Sequence, residues 1–504
     1  MKRQKFTNGM LELTPAASAE IAGSDLYNQD LNPVPIARRN WGTYHIASLW
    51  IGMSVCIPTY MLASGLIAAG MNWWQAVLTI TLGNLIVLIP MTLNAHAGTK
   101  YGIAFPVFAR LAFGTRGAHI PALMRAVVAA GWFGIQTWIG GASLNALIGA
   151  IFPGWLNFGP GLWICFLAFW ALNVWIGYKG LDAIKFMESW GAPILLFLGA
   201  CLVVWAFMAL QGDLTPLWAM QSKFKTSGEF WAVFLPSLTG MIGFWSTLAL
   251  NIPDFTRYAK DQKSQVWGQI LGLPTTMALF SFIGVIVTAA TVIVFGQAVW
   301  DPVALLSKFS PFAVILGTFG IVVATITTNI AANVVAPAIG ISNAAPRKIT
   351  FGMGAIITGI IGIAIMPWKL LSSYGAYIFG WLGTYSAFLG PIAGIWIADY
   401  WLVRKQRLDI VEAFKEGGRY SYGGGFNGKA IAALIIGIVF ALIGKFVPSL
   451  KILFDNAWIV GAIVSGIAYY LMMNNDPSIM SEKEFADITE GMEAGPVSGR
   501  GISA

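Results

Sequence analysis

The sequence predicts an all-α integral membrane protein with twelve membrane-spanning helices, arranged as a five-plus-five inverted repeat with broken helices 1 and 6, plus two accessory helices. Three observations predict this fold class. The 504-residue chain is 57% hydrophobic and only 10% charged, whereas soluble domains carry about 25% charged residues. Apolar segments of about 20 residues, the length that crosses a bilayer, recur along the chain. Two of these segments carry helix breakers at matching places.

The apolar segments follow a polar stretch, residues 1–43, which lacks the apolar core of a signal peptide and is expected to be a cytoplasmic tail. Residues 475–504 are polar again and are expected to form a second, mobile tail in the cytoplasm. Between the tails, twelve segments are long enough to span a membrane. They lie at 44–69, 72–95, 120–152, 161–178, 190–210, 229–252, 270–296, 312–341, 350–366, 372–402, 428–447 and 456–474.

Lysine and arginine residues predict the orientation of the chain. With the N-terminus inside, most of them fall in inside loops, including Arg38, Arg39 and Arg257, and few fall outside, such as Lys223. Cytoplasmic loops carry this excess, so both termini are expected in the cytoplasm and the protein in the cell inner (plasma) membrane. The net charge of +8 reflects these loops, and no nucleic-acid partner is expected.

The first segment should be broken between Trp50 and Gly65. Pro58 removes a backbone donor there, and Gly52 loosens the preceding turn. A broken helix is tolerated in lipid only where its freed carbonyls face protein or a watery cavity. A second interruption, Gly240–Gly243, occupies the matching place in the sixth segment.

These two breaks divide the chain into repeats. Each break would open a five-helix unit, the first at residues 44–210 and the second at 211–402. Five crossings end on the opposite side of the membrane, so the second unit must run inverted. Residues 403–474 are then a loop with accessory helices 11 and 12. Interrupted helices in corresponding halves indicate the substrate site of a secondary transporter.

Charged side chains are scarce inside the predicted spans. Asp254, Asp399 and Arg404 fall at helix ends and Arg125 near the start of the third segment, where anchoring of loops is the favoured interpretation. The sequence offers no paired carboxylates, histidine cluster or nucleophile with its base, so neither an enzyme nor a resident cofactor is expected. A bound cation would have to be held by neutral oxygens.

The eighth segment offers such oxygens. Thr327 and Thr328 place adjacent hydroxyls in an otherwise apolar helix, although threonine hydroxyls often only bond the preceding turn. Carbonyls freed near Gly52 and Val55 could complete an all-oxygen site for a hard cation. Spacing alone leaves both interpretations open.

Aromatic and amide side chains form a second candidate group. Trp132 and Gln136 lie four residues apart in the third segment and hence on one helix face. Trp245 follows the second break, and Asn333 ends the polar part of the eighth segment. Tryptophan in a membrane helix usually serves the interfacial belt or packing. An indole with an amide one turn away also suits a flat polar ring, stacking on its face and bonding its edge.

At these residues the chain resembles nucleobase–cation symporter family 1, which includes permeases for cytosine, uracil, allantoin and hydantoins. The resemblance extends from about Asn40 to about Met473. It implies a twelve-helix transporter with a five-plus-five inverted repeat. The stretches that carry it are HAGTKYGIAFPVFARLAFGTRGAHIPALMRA, WFGIQTW, LNIPDFTRY, TTNIAANVVAPA, NAAPRKITF and LGPIAGIWIADYWLVRK.

The resemblance assigns roles around a heterocyclic substrate. It implies that Trp132 and Trp245 sandwich the ring and that Gln136 and Asn333 are amides that bond its edge. Leu382 matches a position on the tenth helix that bears on substrate selectivity.

Two further positions distinguish this sequence within the resemblance. Phe244 stands where some relatives have a glycine that offers its backbone to the substrate. Cys56 stands where close relatives carry Gln or Asn, and a thiol cannot replace the paired contacts of an amide. Uracil, a dihydropyrimidine or a hydantoin is therefore plausible beside allantoin.

The resemblance also implies a co-transported ion. In sodium-coupled members the ion contacts match the carbonyls of Gly52, Val55 and Ala324 and the hydroxyls of Thr327 and Thr328. Both hydroxyls are present here, which favours sodium; members that lack them are thought to use protons. Expected partners are thus a small heterocyclic substrate, a cation and the lipid bilayer, with no obligate protein partner evident.

Other functions stay open at the level of the residues. A proton-coupled vitamin or amino acid carrier could share the fold, although the breaks offer no side-chain charge partner for an amino acid. A helix N-terminus could still bind a carboxylate. A passive channel and, less favoured, a membrane-embedded enzyme are the alternatives from other classes.

Overall fold

A computed structural model describes residues 2–179, 182–344 and 348–491, and these are mostly helical. The predicted all-α class is confirmed, because a helix or a pair of helices covers each of the predicted apolar segments. These helices are α1 (Thr43–Ser54), α2 (Ile57–Ala68), α3 (Trp73–Tyr101), α4 (His119–Ile151), α5 (Gly161–Lys179), α6 (Asp182–Ala209), α7 (Ser227–Phe244), α8 (Ser246–Asn251), α9 (Gln262–Phe295), α10 (Pro311–Asn333), α11 (Val335–Ala344), α12 (Phe351–Ala364), α13 (Ala376–Val403), α14 (Gly428–Phe446) and α15 (Ala457–Met473).

Short elements connect these helices. Helix α13 is itself composite, since π-helical turns at Ala376–Leu382 and Ala398–Val403 flank the α-helical Gly383–Ile397. The short α-helices are Pro15–Ala22, Phe105–Phe113, Thr215–Trp218, Pro253–Thr256, Pro302–Leu306, Pro367–Leu370, Lys451–Asp455 and Glu482–Ile488. The 3₁₀ turns are Gln29–Leu31, Ile36–Arg38, Pro153–Asn157, Glu412–Phe414 and Pro448–Leu450.

Length and hydropathy select fewer spans than the sequence pattern predicts. Within the described ranges, seven helices can cross a membrane alone, and two bent pairs raise this number to nine. The pairs are α1 with α2, bent by 60°, and Pro448–Asp455 with α15, bent by 84°. Helix α12 and the stretch Pro193–Ala209 are apolar but shorter. Twelve crossings and the inverted repeat stay predictions.

The break in the first segment is confirmed and lies between α1 and α2. Pro58 falls in the first turn of α2, where a missing N–H costs nothing. The amide of Cys56 donates to a carbonyl two residues back (3.0 Å), and that of Thr59 to one three residues back (3.1 Å). In a continuous helix these amides would bond the carbonyls of Gly52 and Val55. The break therefore frees those two carbonyls.

The second interruption lies at Trp245, between α7 and α8, so its predicted position at Gly240–Gly243 is wrong. The glycines serve close packing, because a Cβ on Gly240 would lie 3.1 Å from the Ile378 side chain of α13. The absence of a Cβ therefore lets α13 approach α7 closely, and this part of α7 is helical. The carbonyl of Gly243 accepts a hydrogen bond from the Tyr385 hydroxyl (2.8 Å), which satisfies an acceptor next to the interruption.

The two stretches expected to be tails are ordered where the structure describes them. Residues 2–42 and 475–491 contribute a three-stranded sheet of order β2-β1-β3, in which β1 is antiparallel to β2 and parallel to β3. The strands are β1 (Gln4–Thr7), β2 (Met10–Leu13) and β3 (Thr489–Glu490). Arg3 also pairs with Asp409 (2.6 Å) and Glu412 (2.8 Å). Polar composition predicts a tail, but strand β1 and the side chain of Arg3 have partners that are distant in the sequence. Residues 492–504 lie outside the described ranges.

Charged residues at helix ends anchor loops, as predicted. The buried guanidinium of Arg404 pairs with Asp399 (2.9 Å) and donates to the carbonyl of Leu111 (2.8 Å). The Tyr469 hydroxyl bonds the other oxygen of Asp399 (2.6 Å). Asp254 accepts from the amide of Phe105 (2.8 Å). A buried ion pair is tolerated only with such additional hydrogen bonds.

Helix α9 fixes the position of the broken segment by packing closely on α1. A Cβ added to Gly268 would lie 3.0 Å from the carbonyl oxygen of Thr43, and one added to Gly272 would lie 2.9 Å from the Cα of Ala47. Small residues four apart let two helix backbones approach in this way. The two backbones would have to separate to admit larger side chains.

The Gly272→Ala substitution is expected to destabilise the protein by about 1–3 kcal/mol, as overpacking of a tight contact generally does. Thermal unfolding of the purified protein in detergent would measure the change. The matched control is Gly428→Ala at the start of α14, where a Cβ would meet nothing within 4 Å. Equal unfolding midpoints for the two variants would contradict this account of the α1–α9 contact.

Candidate substrate and cation site

A small cavity lies beside the break between α1 and α2, and its volume is about 40 Å³. Helices α4, α8 and α10 supply most of its other walls. The lining residues are Met53, Cys56, Pro58, Trp132, Gln136, Phe244, Trp245, Thr247, Leu248, Thr328, Ala332 and Asn333. Six of the seven predicted substrate residues are among them, and Leu382 is not. The structure thus brings together side chains from the first, third, sixth and eighth predicted segments.

Aromatic rings dominate one side of the cavity. The Phe244 ring meets Trp132 edge to face at 5.0 Å between ring centroids, and it meets Trp245 in the same way at 4.9 Å. The indole of Trp245 also contacts that of Trp50 at 5.2 Å. Phe244 therefore touches both indoles that are predicted to sandwich a ring. A cavity of 40 Å³ holds a few water molecules, so a heterocycle requires these rings to move apart.

Two amides supply most of the hydrogen-bonding capacity of the cavity walls. Gln136 follows Trp132 by about one turn of α4, and Asn333 lies at the end of α10; both side chains are buried. The NH₂ group of Asn333 donates to the Asn329 side-chain oxygen (3.1 Å). Cys56 has a weaker polar neighbour, since its sulfur lies 3.3 Å from the Thr59 hydroxyl. The cavity can thus bond the edge of a polar ring while its walls pack on the faces.

Neutral oxygens lie on the adjoining part of α10. The Thr327 hydroxyl donates to the carbonyl of Ala324 (2.8 Å), which is the local bond that threonine commonly makes. The side chain of Thr328 lines the cavity. Helix α10 contacts α1, the helix whose break frees the carbonyls of Gly52 and Val55. Oxygen donors without formal charge suit a hard monovalent cation.

Acidic and thiolate metal sites are not found in the described residues, which contain no group of three or more His, Cys, Asp or Glu side chains able to hold a metal. Arg125 contacts a residue that lines the cavity, Thr247. Its Nε donates to the carbonyl of Thr247 (3.4 Å), and its side chain is buried. This contact ties α4 to α8 next to the cavity wall.

Helix α13 closes the cavity region through residues that the sequence analysis missed. Tyr377 and Tyr385 contact Trp132 at 6.0 and 6.5 Å between ring centroids, and the Tyr377 hydroxyl donates to the carbonyl of Pro58 (3.2 Å). Leu382, on the same helix, is buried and faces Gly240 of α7. The tyrosines could have been predicted from the spacing of Tyr377, Trp381 and Tyr385, because residues four apart lie on one face of a helix.

Other lining residues were missed because they are chemically ordinary. Met53, Thr247, Leu248 and Ala332 are small or apolar residues in apolar helices, and no local pattern separates them from packing residues.

A larger cavity elsewhere is a poor candidate for a polar ligand. It has a volume of about 540 Å³ and lies between α3, α13 and α15. Its lining is almost wholly apolar, with residues such as Ile89, Ile397 and Ile463, and the side chains of Ile89 and Ile463 are exposed. A site that orients a ligand needs a few placed polar groups, which the smaller cavity has.

Interrupted helices around a small aromatic and amide cavity, within a multi-pass bundle of apolar helices, define a membrane transporter. The fold is similar to that of Mhp1, described as a nucleobase-cation-symport-1 family transporter, in a closed conformation with bromovinylhydantoin bound. The TM-score is 0.76 at 26% identity, over 92% of this chain and 99% of that chain.

The chain belongs to the family described as permease for cytosine/purines, uracil, thiamine and allantoin, whose profile matches residues 33–461. Among its relatives is a purine-uracil permease of Arabidopsis thaliana, 42% identical over 89% of this chain and 78% of that protein. An allantoin permease of Bacillus subtilis is 41% identical over 90% of this chain and 94% of that protein. The resemblance drawn from the sequence is confirmed, and the protein is a permease and not an enzyme.

Proposed function

We propose that this permease is a secondary active symporter that imports a nucleobase or nucleobase-derived ring, such as uracil, allantoin or a hydantoin, together with sodium. The observation that carries the proposal is one cavity that combines Trp132, Trp245, Gln136 and Asn333 with Thr328. Relatives named as purine-uracil, allantoin and hydantoin permeases support this class of substrate.

The chemistry of the cavity fits a neutral, flat ring. Trp132 and Trp245 would pack on the two faces of the ring, with Phe244 displaced from its contacts with them. Gln136 and Asn333 would bond donors and acceptors on the ring edge. Cys56 offers no amide, so this part of the site favours an edge that makes few polar contacts there. A carboxylate or ammonium would find no side-chain partner of opposite charge among the lining residues.

Sodium would be held by the neutral oxygens of Gly52, Val55, Ala324, Thr327 and Thr328. Gly52 lies in the last turn of α1 and Val55 in the break that follows it, and Cys56, which lines the cavity, comes directly after Val55. A cation that binds the freed carbonyls would therefore order the chain that forms one wall of the substrate cavity. This shared segment gives a physical route for coupling the two binding events.

Transport would proceed by alternating access between two inverted five-helix repeats, residues 44–210 and 211–402, with residues 403–474 as loop and accessory helices. Both termini would face the cytoplasm of a cell inner membrane. Moving one positive charge inward gains about 2.3 kcal/mol per 100 mV of membrane potential, enough to concentrate a neutral ring.

Uptake into proteoliposomes tests the proposal. Radiolabelled uracil, allantoin and hydantoin would each be offered with an inward sodium gradient, with no gradient, and with a proton gradient alone. We expect saturable accumulation above the external concentration for at least one ring, only with sodium. Accumulation that does not depend on sodium and is abolished by a protonophore would overturn the sodium assignment. Equilibration of the substrate without accumulation would indicate a channel.

Phe244 is expected to limit the size of the substrate, because its ring contacts both indoles. The Phe244→Ala substitution should raise binding of bicyclic purines relative to monocyclic pyrimidines by about tenfold, the scale at which pocket volume discriminates. Competition for uptake would measure the ratio. The matched control is Phe234→Ala on the same helix, whose ring stacks on Phe230. An unchanged ratio in the Phe244 variant would contradict the expectation.

A further inference from the structure

Three buried amides form a chain that leads away from the cavity. Asn333 lines the cavity, Asn329 lies one turn earlier on α10, and Asn173 lies on the neighbouring α5. Asn329 and Asn173 are completely buried. Amides are costly in the interior of a membrane protein unless each is hydrogen-bonded, and these three are bonded in series.

Backbone carbonyls fix the orientation of the Asn173 and Asn329 amides. The NH₂ group of Asn173 donates to the carbonyl of Phe169 (2.8 Å), and that of Asn329 donates to the carbonyl of Phe133 (3.3 Å). A backbone carbonyl can only accept, so each amide must turn its nitrogen toward it. Thr137 adds the same constraint, because its hydroxyl donates to the Phe133 carbonyl (2.7 Å) and can only accept from Asn329 (3.2 Å).

The orientation of Asn329 in turn determines the orientation of Asn333 at the cavity. With its nitrogen turned to Phe133, Asn329 presents its side-chain oxygen to Asn333, which donates to it from Nδ2 (3.1 Å). The side-chain oxygen of Asn173 likewise accepts from Asn329 (3.3 Å). Rotating any one amide by half a turn would place two oxygens, or two NH₂ groups, face to face in a buried site. Asn333 is therefore left with its oxygen as the atom without a partner in the series.

We infer that Asn329, backed by Asn173 and Thr137, is a positioning residue that holds the Asn333 oxygen toward the cavity as an acceptor, so that the site selects rings with an unsubstituted N–H at that edge. The inference rests on the proposed function, in which Asn333 bonds the substrate. The chemical class selected is an imide, amide or ureide N–H of a neutral ring. A ring that is N-alkylated at that edge loses the donor and is rejected.

The test compares uracil and hydantoin with their 1-methyl and 3-methyl derivatives as competitors for uptake. In the wild-type protein, one methyl isomer of the transported ring should compete at least tenfold more weakly than the parent ring. The Asn329→Leu substitution keeps the side-chain volume but frees Asn333 to rotate. We expect it to weaken binding of the parent ring several-fold. The affinity of the parent ring divided by that of its methyl derivative, the parent-to-methyl ratio, should then fall close to the value expected from steric effects alone.

Two further variants separate positioning from loss of structure. Asn84→Leu on α3 removes another completely buried amide, one that donates to Ile80 within its own helix, and it should leave the ratio unchanged. Asn173→Leu leaves Asn329 bonded to Phe133 and Thr137, so the ratio should fall by only about two- to threefold. Asn173→Leu also tests the positioning role if the Asn329→Leu variant does not fold.

The outcomes distinguish the inference from the proposed function. Transport of a ring by the wild-type protein with an unchanged parent-to-methyl ratio in the folded Asn329 and Asn173 variants would overturn the positioning role alone. A wild-type protein that transports none of the rings would overturn the proposed function and the inference with it. A ratio that falls in the Asn84 variant as well would also overturn the positioning role.

Discussion

The Trp132→Ala substitution is expected to weaken substrate binding by about 10- to 100-fold. Stacking of a heterocycle on an aromatic side chain contributes about 1–3 kcal/mol, and Trp132 is a buried wall of the cavity that contacts Phe244. Removing the indole also leaves one face of the ring without a partner. The dissociation constant from substrate-induced stabilisation of the purified protein, together with the KM of uptake, would measure the loss.

The matched control is Trp138→Ala on the same helix. Trp138 packs against Trp163 and Trp368, at 5.4 and 6.0 Å between ring centroids, and it is not a lining residue of the cavity. Substrate affinity should stay within about twofold of the wild-type value. Equal losses of affinity in the two variants would show that the effect comes from general destabilisation, and unchanged affinity in the Trp132 variant would remove the proposed site.

The Thr328→Val substitution is expected to reduce the stimulation of substrate binding by sodium at least tenfold. Valine has nearly the same shape as threonine but replaces the hydroxyl oxygen with a methyl group, so a cation loses one of its ligands. Thr328 lines the cavity, which makes its hydroxyl the proposed ligand nearest the substrate. Sodium titrations at fixed substrate, compared with potassium and with choline, would measure the change.

Thr325→Val is the control for the cation site. Thr325 lies on the same helix and is also buried, but it is outside the proposed set of ligands. Its variant should keep the sodium dependence of the wild-type protein. Full sodium stimulation in the Thr328 variant would contradict the proposed cation site, even if transport itself were slower.

The positions of the helices could be predicted from the sequence because membrane spans are set by local composition. The first break was predictable too, since Pro58 cannot continue the hydrogen-bonding pattern of the preceding turn. The second was misplaced because glycine both loosens a helix and allows close packing. Only the position of α13 beside Gly240 shows which property applies.

The candidate site was predictable where residue chemistry is unusual for its surroundings. Tryptophan and amide residues within apolar helices, such as Trp132, Gln136 and Asn333, stand out in a sequence. Tyr377 and Tyr385 did not, because their contact with Trp132 depends on how α13 packs on α4. The pairing of residues 4–5 with residues 489–490 joins opposite ends of the chain, so no local sequence pattern predicts it.

That pairing constrains the path of the chain through the bilayer. Strands β1 and β3 lie side by side, so we expect residues 4 and 489 to be on the same face of the membrane. A polymer that leaves one face and returns to it makes an even number of passages. The described ranges hold seven helices that can cross alone and two bent pairs, and the predicted number of twelve crossings would satisfy this condition. Pro193–Ala209 and α12 are shorter apolar helices, and together with α7 and α8 they lie at the other predicted spans.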